Sequence, residues 1–264
     1  MGGDPPRRRC THARLRAALA LLRCSHPEPV LAVTAVGGAL ALSAGRGWGT
    51  LWVVSAVLAG QLFVGWTNDY LDRDLDRAKG RRDKPLAQAA LKPEWVRTAA
   101  LVALAACLPL SLASGLAAAG VHLAAIGAAT LYNLGLKATL LSVVPYAAAF
   151  SLLPAFITLG LDPSRWAPAW AVAAGGLIGA GAHFTQVLTD PAGLPQKLGR
   201  RGSALAAALL YASAALLIGS PLLALAVAMA VGLTALLAPG QAFRVAMVAA
   251  GAVVVLFLAG GTRL

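Results

Sequence analysis

Apolar residues run along this chain in long blocks separated by short polar segments, and the block lengths are those of bilayer-crossing helices. The runs fall near Val30–Ala44, Leu51–Thr67, Trp95–Leu112, Leu116–Leu134, Leu140–Leu159, Pro168–Leu188, Ala204–Ile218, Leu222–Leu237 and Phe243–Leu258. A helix needs about 20 apolar residues to cross the hydrocarbon layer, with about 17 as a practical minimum. The pattern therefore predicts an all-α, polytopic membrane bundle of about nine transmembrane helices. Eight is the alternative count if the pair joined at Gly219-Ser220-Pro221 is one re-entrant unit. Residues 1–25 carry Arg7–Arg9, Arg14, Arg16 and Arg23 around a short Ala/Leu stretch. They read as a basic interfacial segment ahead of a single membrane domain over 26–264.

Composition agrees with the pattern. The chain is 59% hydrophobic and only 12% charged, against about 25% charged in soluble domains. The net charge of +12 invites a nucleic-acid partner, but the cations lie in short connectors between apolar runs, which argues against one. With the N-terminus inside, all of the 22 Lys and Arg except Arg46, Arg165 and Arg263 fall on one side. The positive-inside rule then sets that side as cytosolic. Cys10, Cys24 and Cys107 are too few and too scattered for a disulfide framework. His122 and His183 are the histidines well inside the runs, and a lone intramembrane histidine reads first as a hydrogen-bonded structural residue.

The candidate chemistry is concentrated in Asn68–Lys84, NDYLDRDLDRAKGRRDK. On a helix, Asn68, Asp69, Asp72 and Asp76 fall at about 0°, 100°, 40° and 80°, roughly a quarter of the circumference. Asp74 points elsewhere. Such a stripe repels itself unless a cation sits in it, and hard oxygen donors of this kind suit Mg²⁺, which takes one or two carboxylates plus water and substrate phosphates. Arg77, Lys79, Arg81, Arg82 and Lys84 follow at once, as a polyphosphate would require. A solvated connector is the bland alternative. The shared face at a helix's membrane exit weighs against it.

These residues resemble the UbiA superfamily of intramembrane prenyltransferases. Asn68, Asp69, Asp72 and Asp76 match its Asn-Asp-x-x-Asp-x-x-x-Asp motif, and Arg81-Arg82-Asp83-Lys84-Pro85 its basic sequel. Tyr132 and Lys137, Ser142 and Tyr146, and the Arg23…Pro27 approach to the first run match as well. The second acidic motif departs from the pattern, because Gln186, Asp190 and Leu194 stand where acidic residues usually recur. The resemblance implies Mg²⁺-dependent transfer of a prenyl group from an isoprenyl diphosphate to an aromatic or other lipophilic acceptor in the bilayer. A membrane terpene cyclase, or a non-catalytic lipid-binding or transport relative, are the alternatives. It implies metal ligands among Asn68, Asp69, Asp72, Asp76 and Asp190. Catalytic roles fall to Asp72, Asp76, Asp190, Lys137 and Tyr132, and substrate contacts to Arg23, Arg81, Arg82, Lys84, Tyr146 and Lys197. The Ala/Arg/Gly-rich composition suggests a bacterial source and hence an inner membrane, and the Lys/Arg asymmetry puts the site on its cytosolic side.

Overall fold

A computed structural model describes residues 6–259 and Leu264. Ten α-helices account for most of it: α1 (Pro6–Cys24), α2 (Pro27–Ser43), α3 (Gly49–Ala78), α4 (Pro93–Leu112), α5 (Leu116–Asn133), α6 (Val144–Leu159), α7 (Ala169–Gln186), α8 (Gly193–Leu217), α9 (Pro221–Leu237) and α10 (Pro239–Ala259). No strand occurs among the described residues. Each of the nine apolar runs carries one of the helices α2–α10. Four of these, α3, α4, α5 and α10, are long and apolar enough to cross a membrane by length and composition. The runs on either side of Gly219 form two separate helices, parted where Gly219 takes a left-handed turn (φ +79°).

Neighbours in sequence are neighbours in space. α2 packs on α3, α3 on α4, α5 on α6, α6 on α7, α7 on α8 and α8 on α9, and α10 returns to touch α7 and α2. The exterior is studded with exposed leucines, among them Leu31, Leu101, Leu205, Leu222 and Leu237. In water that would be an aggregation surface; in lipid it is the expected outer coat. The inside is built largely of alanine and glycine, with larger side chains such as Phe156, Ile157 and Tyr211 fully buried among them.

Helix α3 positions the candidate site. At 1.5 Å per residue, its 30 residues span about 45 Å, against a hydrocarbon core of about 30 Å. Its final turns therefore emerge from the apolar zone carrying the acidic stripe. Near its exit α3 crosses the α1–α2 junction so closely that a Cβ on Gly65 would lie 2.8 Å from the Ser25 carbonyl carbon. Only glycine permits that approach, and it brings His26, the residue before α2, to the flank of α3. Gly65→Ala should lower the thermal midpoint in detergent by the equivalent of about 1–3 kcal/mol of overpacking, and loosen the His26 contact described below.

The connector 79–92 folds back as a roof over this end. Leu86 and Leu91 are buried with Ala20 and Cys24 of α1 and Val96 of α4, and Trp66 packs on the same cluster. The Trp66 indole donates to the Leu21 carbonyl at 2.8 Å. Helix α1 is thereby packed into the charged end of the bundle through its C-terminal half. Helix α8 begins at Gly193, well before the apolar run at Ala204, and kinks at Gly199 (φ 67°, ψ 177°). Gly193 also has positive φ (+60°), and a Cβ there would crowd the Lys137 carbonyl at 2.7 Å and Ser142 Oγ at 2.8 Å. The Leu194 amide donates to Ser142 Oγ at 3.2 Å. The α7–α8 connection is thus pinned to the short 3-10 turn Leu136–Ala138 and the loop after it, which carry Lys137 and Ser142.

Candidate active site

The acidic stripe of α3 divides into a buried and a half-buried edge. Asp69 and Asp76, nearly in line on the helix, are 1% and 7% exposed. Asn68 and Asp72 are half-buried, while Asp74 is exposed and pairs with Arg73 and Arg77 on the outer surface.

Each inward carboxylate but one meets a cation or amide from a distant segment. Asn68 Nδ2 donates to Asp72 Oδ2 at 3.0 Å and to Asn133 Oδ1, at the end of α5, at 3.2 Å. Asn133 in turn donates to the Val64 carbonyl at 3.1 Å, which fixes its orientation. Lys137 Nζ grips both oxygens of Asp72, at 2.5 Å for Oδ2. Asp69 Oδ1 takes Lys84 Nζ at 2.5 Å and His26 Nε2 at 2.8 Å, and Lys84 lies 3.1 Å from the same imidazole. Asp69 Oδ2 is buried with no oxygen or nitrogen partner among the described residues, and the buried Cys24 thiol lies against the same carboxylate. Asp76 has no ion pair within 4.0 Å among the described residues.

Asp190 lies apart from this set, in the α7–α8 connection. Lys79 Nζ reaches both of its oxygens, at 2.7 and 2.8 Å, and Arg81 approaches at 3.6 Å. Arg81 also forms a two-pronged pair with Asp83 at 2.7 and 2.9 Å. That pairing, the largest influence on Asp83, holds its carboxyl down at about 2. The pair is therefore ionised through the physiological range and weakens only as acid brings the pH toward that value. Arg23 donates to the Asp83 carbonyl at 3.2 Å. Arg82 and Lys197 are exposed and make no side-chain ion pair among the described residues. They are free to meet a ligand.

Below the stripe lies a cavity of about 240 Å³, lined overwhelmingly by apolar side chains. Its charged-end rim includes His26, Asn68, Asn133, Tyr132, Tyr146 and Gln186. Tyr132 and Tyr146 meet edge to face with centroids 5.1 Å apart, and the His183 ring packs on both, at 5.6 and 5.3 Å. The Tyr146 hydroxyl donates to Gln186 Oε1. His183 Nε2 is 3.1 Å from Ser142 Oγ. Three of the residues named for the site thus share one rim: Asn68, Tyr132 and Tyr146. Asp72 with Lys137, and Asp69 with Lys84, stand on the helix face beside it.

Among the described residues no three His, Cys, Asp or Glu side chains converge tightly enough to hold a metal alone. The donor set nevertheless fits a hard divalent cation. Asn68, Asp72 and Asp76 present amide and carboxylate oxygens along one stripe, Asp69 Oδ2 has no oxygen or nitrogen partner beside them among the described residues, and Mg²⁺ completes its shell with water and substrate phosphate. Sequence reasoning missed His26 and Asn133, which hold Asp69 and Asn68. His26 sat in a Pro-rich break and Asn133 inside YNLGLK, with no spacing to tie either to α3.

The site is thus an acidic stripe and a basic roof at the mouth of an apolar chamber in a bundle of helices. The chain belongs to the UbiA prenyltransferase family, whose model matches residues 30–264. Three solved structures share the fold. One concerns digeranylgeranylglyceryl phosphate synthase in membranes, at TM-score 0.62 and 15% identity over 93% of this chain and 98% of that one. A UbiA homologue from Archaeoglobus fulgidus, bound to GPP and Mg²⁺, is similar at TM-score 0.64 and 17% identity over 92% and 98%. The apo UbiA homologue from Aeropyrum pernix K1 is similar at 0.59 and 16% over 93% and 97%. No curated protein matches the sequence.

Proposed function

We propose that the protein transfers a prenyl group from an isoprenyl diphosphate to a lipophilic acceptor, with Mg²⁺ held at Asn68, Asp72 and Asp76 and Asp69 behind them. The observation that carries this reading is the junction of two opposite environments at one rim. Oxygen ligands and cations stand on one side of Asn68, and an apolar chamber of about 240 Å³ on the other. An isoprenyl diphosphate has the same two halves. The A. fulgidus homologue's GPP and Mg²⁺ support the assignment. The charge asymmetry along the sequence supports a cytosolic mouth in a bacterial inner membrane. Residues 6–25 of the basic N-terminal segment then form an interface-lying preface to the membrane domain, and residues 1–5 of it lie outside the described residues.

The bound cation supplies neutralisation of diphosphate oxygens as negative charge gathers on them. The chain's own groups do the rest. Lys137, poised on Asp72, and Arg81, Arg82, Lys84 and Lys197 around the roof stabilise the departing diphosphate, which takes the electron pair of the broken C–O bond. The Tyr132 and Tyr146 rings, braced by His183, turn π density toward the allylic cation. The apolar chamber keeps water from capturing it first. The acceptor's π electrons form the new bond, and the acceptor then loses a proton. Asp190, held by Lys79 and Arg81, orders the roof and favours a single-cation site.

The test is turnover of geranyl, farnesyl and geranylgeranyl diphosphates by purified protein with and without Mg²⁺ and an aromatic acceptor. Mg²⁺-dependent diphosphate release with a prenylated acceptor is the expected result. A hydrocarbon formed without acceptor would make the protein a cyclase. No diphosphate release from any of the three would support the non-catalytic alternative.

A further inference from the structure

Two cavities lie side by side below the rim. One, the chamber, runs between α2, α7 and α10 past Val36, Ile178, Met247 and Val254. The second, about 50 Å³, lies between α3, α5 and α6, with Gln61 on the side shared with the chamber and His122 and Phe156 on the far side. Gln61, Val64, Ala129, Ala149, Phe150 and Leu153 line both, so the two cavities are neighbours that share a wall. Gln61 is seven residues before Asn68 on α3, about 10 Å deeper and on nearly the same face.

The far side of the small cavity is polar where most of the lining is not. Ser111 Oγ donates to the Cys107 carbonyl at 2.7 Å, so its single hydrogen is spent. Its 2.8 Å bond to His122 Nδ1 must then be accepted from an Nδ1–H. The neutral imidazole is left with a bare acceptor at Nε2. That atom points to α3, since a Cβ on Gly60 would lie 3.5 Å from it. Phe156, itself fully buried, stacks on the ring at 4.4 Å and holds its orientation. His122 is 6% exposed, and neither its Nε2 nor the Gln61 amide has a hydrogen-bond partner among the described residues. A free acceptor and a free amide facing an otherwise apolar cavity are best met by a polar group, and an isoprenyl tail has no polar atom to offer them.

We propose that the small cavity receives the acceptor, and that Gln61 and His122 bind a hydroxyl at the end remote from the carbon that is alkylated. The hydroxyl donates to His122 Nε2 and accepts from the Gln61 amide, while the prenyl tail takes the chamber beside α10. This rests on the transfer reading and deepens it, because a cyclase has no use for a second, polar-sided cavity.

Binding, rather than turnover, tests it. The full chain, ring-nitrogen-labelled at histidine in detergent micelles, is titrated with hydroquinone, with hydroquinone dimethyl ether, and with geranyl diphosphate plus Mg²⁺. The His122 signal is assigned by its loss in His122→Phe, which keeps the stack on Phe156. Hydroquinone should shift the Nε2 resonance and bind about tenfold more tightly than its ether, the worth of one hydrogen bond lost against a buried partner. Gln61→Leu should weaken hydroquinone by a similar factor. Equal binding of the ether, no shift with hydroquinone, unchanged affinity in Gln61→Leu, or the same shift from geranyl diphosphate alone would each overturn the proposal. Failure of the transfer reading shows elsewhere, as absence of Mg²⁺-dependent diphosphate release.

Discussion

Asp72→Ala should reduce Mg²⁺-dependent diphosphate release by about 10²–10³-fold or more, the loss typical when a preorganised charge at the reacting centre is removed. Asp72 is the carboxylate in which the site's interactions meet. Asn68 donates to one of its oxygens, and Lys137 reaches both. It is about 20% exposed, so it is open to a ligand while still partly shielded from water. Its removal takes away a cation ligand and frees Lys137 at once. Asp72→Asn separates these effects: the side chain keeps its size and its bond to Asn68 but loses its charge. A release rate in Asp72→Asn close to that of Asp72→Ala would identify charge as the property that matters. A rate near that of the unmodified protein in either variant would remove Asp72 from the metal site. Lys137→Met should act in the same assay but less severely, because Arg81, Arg82 and Lys197 remain near the head group.

The stripe on α3 was readable because a helix repeats over four residues, and its ligands lie within nine positions of one another. Its counter-groups were not, because they are brought in by the fold. Lys137 is 65 residues from Asp72, His26 is 43 from Asp69, and Lys79 is 111 from Asp190. No periodicity links such pairs. The apolar runs located α2–α10, but they stopped where hydrophobicity stopped. Helix α3 continues through Ala78, and α8 starts at Gly193, in stretches whose polar residues face the head-group zone. Lys84 and Arg81 read as diphosphate clamps from their charge alone. In the fold Lys84 is turned inward to Asp69, and Arg81 is shared between Asp83 and Asp190. Roof building and ligand binding draw on the same cations, and the number of positive charges cannot say which dominates at a given position. Gln186, read as a lost acid, accepts the Tyr146 hydroxyl, a role that needs an amide or carboxylate oxygen but not a charge.

Asp69→Ala should destabilise the protein by about 3–5 kcal/mol, the usual cost of removing one member of a buried ion pair, and should do so without any ligand present. Asp69 is 1% exposed and Lys84 only 12%. The lost carboxylate therefore leaves an ammonium and an imidazole 3.1 Å apart, with no anion between them. The damage spreads along the chain: His26 fixes the start of α2, and Lys84 precedes Pro85 and Leu86, which bury the roof against α1 and α4. Thermal unfolding in detergent, followed by loss of helical signal, reads the effect directly. Asp69→Ala combined with Lys84→Met should recover part of the loss, because the stranded charge goes with its partner. If the single variant melts with the unmodified protein, Asp69 does not hold the roof. If only diphosphate release falls, its Oδ2 acts chiefly toward the cation. The two jobs are compatible, since a carboxylate whose first oxygen is anchored by Lys84 and His26 holds its second at a fixed place beside Asp72 and Asp76.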